Sequence, residues 1–217
     1  MESQKETFLN HEADQWYNRN AEIDVREESE WITQYLQIIE IKPERVLEIG
    51  CSSGAVLNQI HKTFGAECHG IDPSALAVKT GNEKFGLKLV QGTADQLPYE
   101  DGTFDLVIFG FSLYLCDRKD LFKIALEADR VLKNKGFLVI KDFFPPTPYK
   151  NKYVHHEGVY SYKMNYSKMF SWNPQYNEIF LSVFSHNGYA NRDIPEEKVA
   201  VSILNKNIET AYPESIY

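Results

Sequence analysis

A doubly wound α/β fold on one seven-stranded, mainly parallel sheet is what this chain of 217 residues predicts. Three observations carry that expectation. The apolar run Val46-Leu-Glu-Ile49 turns through Gly50-Cys-Ser-Ser-Gly54 into a helical pattern of Ala55, Val56, Leu57 and Ile60. A second short strand then closes on Gly70-Ile-Asp72 and completes a βαβ unit. Strand and helix patterns alternate from there to Phe143, as a parallel sheet with helices on both faces requires.

The remaining elements follow in order. Residues 1–40 read as a helical lid: Glu6 to Arg19 sets Phe8, Leu9 and Trp16 among charges, and Trp31, Tyr35, Leu36, Ile38 and Ile39 stripe a longer helix that stops before Pro43. Leu89 and Val90 end a third strand, Pro98 and Asp101-Gly102 punctuate a loop, and Phe104 to Phe109 is a buried fourth strand. Asp95 reads as a helix or turn cap and Asp105 as a strand-entry residue. Leu121 to Leu132 is an amphipathic helix, stopped by Asn134-Lys-Gly136 before a fifth strand, Phe137 to Phe143. Residues 145–174 form an aromatic insert, in which prolines end the strand and tyrosines from Tyr149 to Tyr166 suit either a pocket cover or a β-ribbon or helix packed on the sheet edge. Tyr176 to Ser185 and Lys198 to Leu204 are the last two strands, with a loop from Gly188 to Glu197 between them.

Bulk properties set limits. The length and 43% hydrophobic content point to one domain over residues 1–217. A net charge of −8, without a basic stripe interleaved with aromatics, speaks against a nucleic-acid substrate. No apolar run approaches a membrane span and the N-terminus lacks a signal-peptide pattern, which implies a cytoplasmic protein that acts away from membranes. Cys51, Cys68 and Cys116 form no disulfide framework, and no paired Cys/His spacing suggests a metal.

The chemistry is concentrated at the strand tips. Gly50 lets backbone amides approach a ligand, and Asp72, at the tip of the next strand, can accept both hydroxyls of a ribose. Glu48 inside the turn would repel a pyrophosphate and suits a cationic or zwitterionic ligand instead. This pattern, Glu48-x-Gly50-x-Ser52-x-Gly54 with Asp72, resembles motif I of the class I S-adenosylmethionine (SAM)-dependent methyltransferases, whose fold is Rossmann-like. Ser52 departs from it by replacing the usual middle glycine. The resemblance implies SAM as cofactor, S-adenosylhomocysteine as product, and a site at Glu48, Gly50, Cys51, Gly54, Asp72 and Pro73. It sets Thr93 and Ala94 by the adenine, and Phe109, Gly110 and Phe111 beside the sulfonium. In the N-terminal lid, Trp16 and Tyr17 suit core packing or cofactor closure equally, and Arg19 suits the cofactor carboxylate.

The acceptor side rests on fewer signals. His155 and His156 fall in the aromatic insert, where an imidazole can remove a hydroxyl proton during methyl transfer, although in an extended segment only one of the two faces the pocket. Tyr114, Tyr162, Lys163, Tyr166 and His186 complete the candidate substrate contacts. A weaker resemblance to small bacterial methyltransferases of surface-polysaccharide or sugar-modification pathways implies O-methylation of a sugar, a nucleotide-linked sugar or a phosphorylated precursor, by a monomer or homodimer. An N-methyltransferase on a small amine, a non-catalytic SAM-binding protein and an NAD-dependent oxidoreductase are the competing readings. Glu48 and the absent third glycine of a dinucleotide turn weigh against the last.

Overall fold

The computed structural model describes residues 2–21, 28–186 and 194–215. The chain begins with α1 (Gln4–Thr7) and α2 (Ala13–Asn20), then α3 (Glu28–Ile38), β1 (Arg45–Ile49), α4 (Ala55–Phe64), β2 (Glu67–Asp72), α5 (Ala75–Phe85), β3 (Lys88–Gln91) and β4 (Phe104–Gly110). It continues through α6 (Leu121–Val131), β5 (Leu132–Phe143), β6 (Tyr149–Lys152), β7 (Tyr160–Lys163), α7 (Lys168–Ser171), β8 (Tyr176–Ser185), β9 (Lys198–Lys206) and α8 (Ile208–Ala211). Seven strands form one sheet in the order β3-β2-β1-β4-β5-β9-β8, with β6 and β7 paired as a separate antiparallel ribbon. Neighbours from β3 to β5 run parallel, and β9 runs antiparallel to both β5 and β8.

Alternate residues of each central strand enter two cores, one on each sheet face. Val46, Leu106, Ile108 and Val139 pack with Leu36 of α3 and Leu57 and Ile60 of α4, whereas Leu47, Val107, Phe109 and Leu138 pack with Ile124, Ala128 and Val131 of α6. This doubly covered sheet explains why the strands read as continuous apolar runs. The strand order reverses between β1 and β4, so the crevice beyond their carboxyl ends is where a ligand fits such a sheet.

Three boundaries differ from the sequence reading. The expected helix from Glu6 to Arg19 is interrupted by a π-helical stretch, Phe8–Glu12, between α1 and α2. The fifth strand starts at Leu132, because Leu132 pairs with Phe104, and Lys135 at φ 67° takes up the register shift that separates this pair from Leu106 and Phe137. The insert resolves into the β6–β7 ribbon followed by α7, so its alternatives of ribbon and helix are both used. Most of the expected loop from Gly188 to Glu197 lies outside the described residues.

Candidate active site

The turn after β1 is held by its neighbours. Gly50 at φ 76° and Ser52 at φ 47° both take left-handed conformations, so the non-glycine residue at the middle position accepts the backbone that a glycine would adopt freely. Asp72 pins this turn: Oδ2 accepts the Ser52 amide at 2.8 Å and Oδ1 accepts the Ser74 amide at 2.8 Å. The Gly50 amide donates to the Ile71 carbonyl at 2.8 Å, and Ser112 Oγ donates to the Ile49 carbonyl at 3.0 Å, which ties the loops after β1, β2 and β4 together.

A cavity of about 570 Å³ lies at these strand ends, within the range for a small-molecule site. Its walls include Trp16, Glu48, Gly50, Cys51, Asp72, Pro73, Thr93, Ala94, Gly110 and Phe111. Glu48 is 3% exposed and lies flush against Gly110, where an added Cβ would overlap its Oε1 and come within 3.1 Å of the Gly50 carbonyl oxygen. The carboxylate therefore occupies the cavity wall because residue 110 has no side chain.

Four of the expected cofactor residues have other positions. Gly54 is the left-handed N-cap of α4 and does not border the cavity. Phe109 is fully buried and packs on Phe170, with ring centroids 6.3 Å apart. Tyr17 is buried outside the cavity lining. Arg19 also lies outside it: its guanidinium pairs with the buried carboxylate of Glu12 and donates to Tyr153 Oη at 3.0 Å. The expected cap Asp95 has a larger role, accepting Thr93 Oγ1 at 2.8 Å and pairing with Lys5 at 2.8 Å and Lys123 at 3.3 Å. Burial opposes ionisation of Asp95, but hydrogen bonds from Lys5, Thr93 and Lys123 outweigh it and hold its pKa down at about 2. Asp105, at the entry of β4, accepts the Glu44 amide at 3.0 Å and the Arg45 amide at 3.1 Å, so it also starts β1.

The other end of the cavity is aromatic and basic. Phe111, strained at φ 59°, stacks on His186 at 5.4 Å and contacts Phe143 at 4.9 Å and Tyr114 at 5.1 Å. Lys163 Nζ sits 3.9 Å from the centre of the Phe143 ring, and Lys141 Nζ lies 5.6 Å from that of Phe111. Tyr114, Lys163 and His186 thus border the cavity as expected substrate contacts, whereas Tyr162 and Tyr166 do not. The latter two hold Arg118, which lies 4.5 Å over the Tyr162 ring and donates to Tyr166 Oη at 2.8 Å.

His155 and His156 also lie outside the cavity lining. They fall in the turn between β6 and β7, where His155 is exposed against the edge of Tyr153 and His156 Nδ1 is 2.9 Å from the Glu157 carbonyl oxygen. The reason is local: Val154-His-His-Glu-Gly158 is the reversal of the ribbon, and of these residues only Val154 borders the cavity.

Sequence reasoning missed several cavity residues. Lys5, Asp117 and Asp120 enter because α1 is stitched to the loop after β4: the Lys5 amide donates to Asp117 Oδ2 at 2.8 Å, and Lys5 Nζ lies 3.5 Å from Asp120. Gln4 bridges β7 and this loop, accepting the Tyr160 amide at 3.1 Å and donating to the Tyr160 carbonyl at 2.8 Å and the Leu115 carbonyl. Nothing in the spacing of Gln4 or Lys5 signals these contacts. Asn151 and Ser161 were findable from ribbon alternation once the turn was located. Among the described residues no cluster of three or more His, Cys, Asp or Glu suits a metal ion.

The fold is that of class I methyltransferases of known structure. Residues 47–140 match the family described as a methyltransferase domain. Demethylmenaquinone methyltransferase of Thermotoga maritima is 32% identical over 124 residues, 55% of this chain and 52% of that protein. A sterol 4-C-methyltransferase of Caenorhabditis elegans is 33% identical over 110 residues, 48% of this chain and 32% of that protein. The chain thus spans about half, or less, of the length of these two curated relatives. Among solved structures, the Burkholderia thailandensis 1,6-didemethyltoxoflavin-N1-methyltransferase, with bound 1,6-didemethyltoxoflavin and S-adenosylhomocysteine, superposes with a TM-score of 0.72. It covers 95% of this chain and 92% of its own at 12% identity, a likeness of fold.

Proposed function

We propose that the protein is a SAM-dependent methyltransferase acting on the hydroxyl of a small polar acceptor. The observation that supports this most is the division of one cavity into an acidic end, with Glu48 and Asp72 on glycine-lined turns, and an aromatic, basic end at Phe111, Phe143, Lys163 and His186. Residues at the first end fit SAM: Asp72 borders the cavity at the tip of β2, where a carboxylate suits ribose hydroxyls, and Thr93 and Ala94 also line this space. Glu48, flush against Gly110, suits the amino-acid end of the cofactor. When bound, SAM supplies an electrophilic methyl group on a sulfonium.

The chain's own residues do the rest. The rings of Phe111, Tyr114 and Phe143 offer stacking faces that hold a ring-shaped acceptor in one orientation, so positioning is the main catalytic term. His186, stacked on Phe111 and bordering the cavity, is the general base in this reading, in place of His155 and His156. A sugar, a nucleotide-linked sugar or a phosphorylated glycan precursor belongs to the acceptor class proposed here. The relatives described above are named for a quinone precursor, a sterol and toxoflavin precursors, so a flat aromatic acceptor is the second reading, favoured by the same stacked rings.

An acceptor panel decides between them. Release of S-adenosylhomocysteine is followed with SAM and either sugar phosphates and nucleotide sugars or phenols and N-heterocycles. Turnover confined to the first group supports the hydroxylated polar acceptor, turnover confined to the second supports the flat acceptor, and SAM binding without turnover on any member counts against both.

A further inference from the structure

The ribbon of β6 and β7 covers the aromatic end of the cavity with one of its two faces. Cross-strand partners lie on the same side of an antiparallel pair, and Tyr149 pairs with Lys163 and Asn151 with Ser161. Because side chains alternate along each strand, these four share a face, while Lys150, Lys152, Tyr160 and Tyr162 share the other. Asn151, Ser161 and Lys163 all border the cavity, and of the residues on the other face Lys152, at the end of β6, does so as well. One amide, one hydroxyl and one ammonium are therefore presented side by side toward the acceptor end.

None of these three side chains makes a hydrogen bond or an ion pair with another described residue. Ser161 is only 9% exposed, and Lys163 Nζ rests on the faces of Phe143 and Tyr149, 3.9 and 5.6 Å from the ring centres. Burial lowers the Lys163 pKa, and the Glu197 carboxylate opposes that shift. Ser161 is nearly withdrawn from water and Lys163 partly so, while Asn151 stays exposed at the rim, so a ligand that accepts from the Ser161 hydroxyl and the Lys163 ammonium offsets their desolvation and also comes within reach of the Asn151 amide. A neutral hydroxyl accepts from an ammonium without balancing its charge, and a carboxylate carries its charge on two oxygens. A phosphate monoester offers three equivalent oxygens and the opposite charge.

We propose that the inner face of the β6–β7 ribbon, at Asn151, Ser161 and Lys163, is a phosphate-monoester subsite in which Lys163 determines acceptor specificity. The word acceptor rests on the methyltransferase reading given above; the subsite itself does not. It selects phosphorylated over neutral acceptors and places the reacting hydroxyl among the rings of Phe111, Tyr114 and Phe143.

Calorimetric titration of the full chain saturated with S-adenosylhomocysteine tests this, with phenyl phosphate, glucose 1-phosphate and inorganic phosphate as probes and with phenol and glucose as neutral controls. At least one ester binds, its neutral parent does not, Lys163→Met raises the ester Kd at least tenfold, and Lys163→Arg restores much of the affinity. Folded protein is verified by an S-adenosylhomocysteine Kd within twofold of wild type. If Lys163→Met does not fold, the double change Asn151→Ala with Ser161→Ala replaces it and raises the ester Kd at least fivefold. An unchanged ester Kd in the variant used, or equal binding of esters and neutral parents, overturns the proposal. Binding of inorganic phosphate with no binding of either ester overturns its assignment to the acceptor. Ester binding that depends on Lys163 in a chain that does not bind S-adenosylhomocysteine leaves the subsite standing and removes the methyltransferase reading.

Discussion

Gly110→Ala isolates the contact between Glu48 and the turn on which the cofactor reading depends. The new methyl group would overlap Glu48 Oε1 and approach the Gly50 carbonyl oxygen to 3.1 Å. Glu48 is 3% exposed, so its carboxylate has little room to retreat except into the cavity. Forcing a methyl group into a well-packed site costs about 1–3 kcal/mol. If that strain is relieved by displacing Glu48 into the cofactor space, the Kd for S-adenosylhomocysteine rises by about 5- to 150-fold. Isothermal titration measures it, with urea unfolding as the check on stability. Gly102→Ala is the control: no atom lies within 4 Å of its added Cβ, but φ is 57°. It therefore loses about 1–2 kcal/mol of stability from the left-handed backbone while its Kd stays unchanged. A folded Gly110→Ala variant with a Kd within twofold of wild type would refute the placement of Glu48 beside the cofactor.

Three further outcomes follow from the same geometry. Asp95→Asn removes a buried carboxylate whose folded pKa of about 2 lies below the ordinary 3.8; the stability it supplies is present above pH 3.8 and lost as pH falls toward 2, so urea unfolding at pH 7 should show a loss of about 2 kcal/mol that shrinks across this window. Asp142 is displaced the opposite way, burial pushing its pKa up to about 7 against hydrogen bonds from the Phe143 and Tyr114 amides, so the wild type loses stability as pH rises from 3.8 to 7, and Asp142→Asn, which lacks this slope, gains on it across that interval in denaturant titrations. His186→Gln should lower kcat by about 10²- to 10⁴-fold with little change in S-adenosylhomocysteine affinity, whereas His155→Gln and His156→Gln should keep wild-type kcat; single-turnover assays on each variant separate these results.

The sheet was legible because its signals are local and periodic. Val46 to Ile49, Phe104 to Phe109 and Phe137 to Phe143 are apolar runs of strand length, and Gly50, Gly54 and Asp72 mark the turns between elements. The acidic end of the cavity was legible for the same reason, since Glu48, Asp72, Thr93 and Gly110 lie at or beside strand tips. Phe109 and Gly54 show the limit of that rule: one residue along a strand changes the face, and Phe109 points into the α6 core while Gly110 borders the cavity. The partners of Arg19 were not legible, because Tyr153, 134 residues away in sequence, meets Glu12 and Arg19 only in the folded chain. The histidine pair was singled out by residue type, but position within a ribbon decides what a side chain can reach. In the tip only Val154 borders the cavity and the two histidines do not, whereas Asn151, Ser161 and Lys163 on the strands do.

The central claim is that the acidic end of the cavity holds SAM through Asp72 and its neighbours. Equilibrium titration of wild type and Asp72→Ala with S-adenosylhomocysteine, and of wild type with NADH, tests it most directly. One molecule of S-adenosylhomocysteine should bind per chain, with affinity lowered about 10- to 150-fold in Asp72→Ala for the loss of a charged acceptor worth about 1.5–3 kcal/mol, and NADH should not bind. Binding of NADH in preference to S-adenosylhomocysteine, or an unaltered S-adenosylhomocysteine affinity in folded Asp72→Ala, would contradict it.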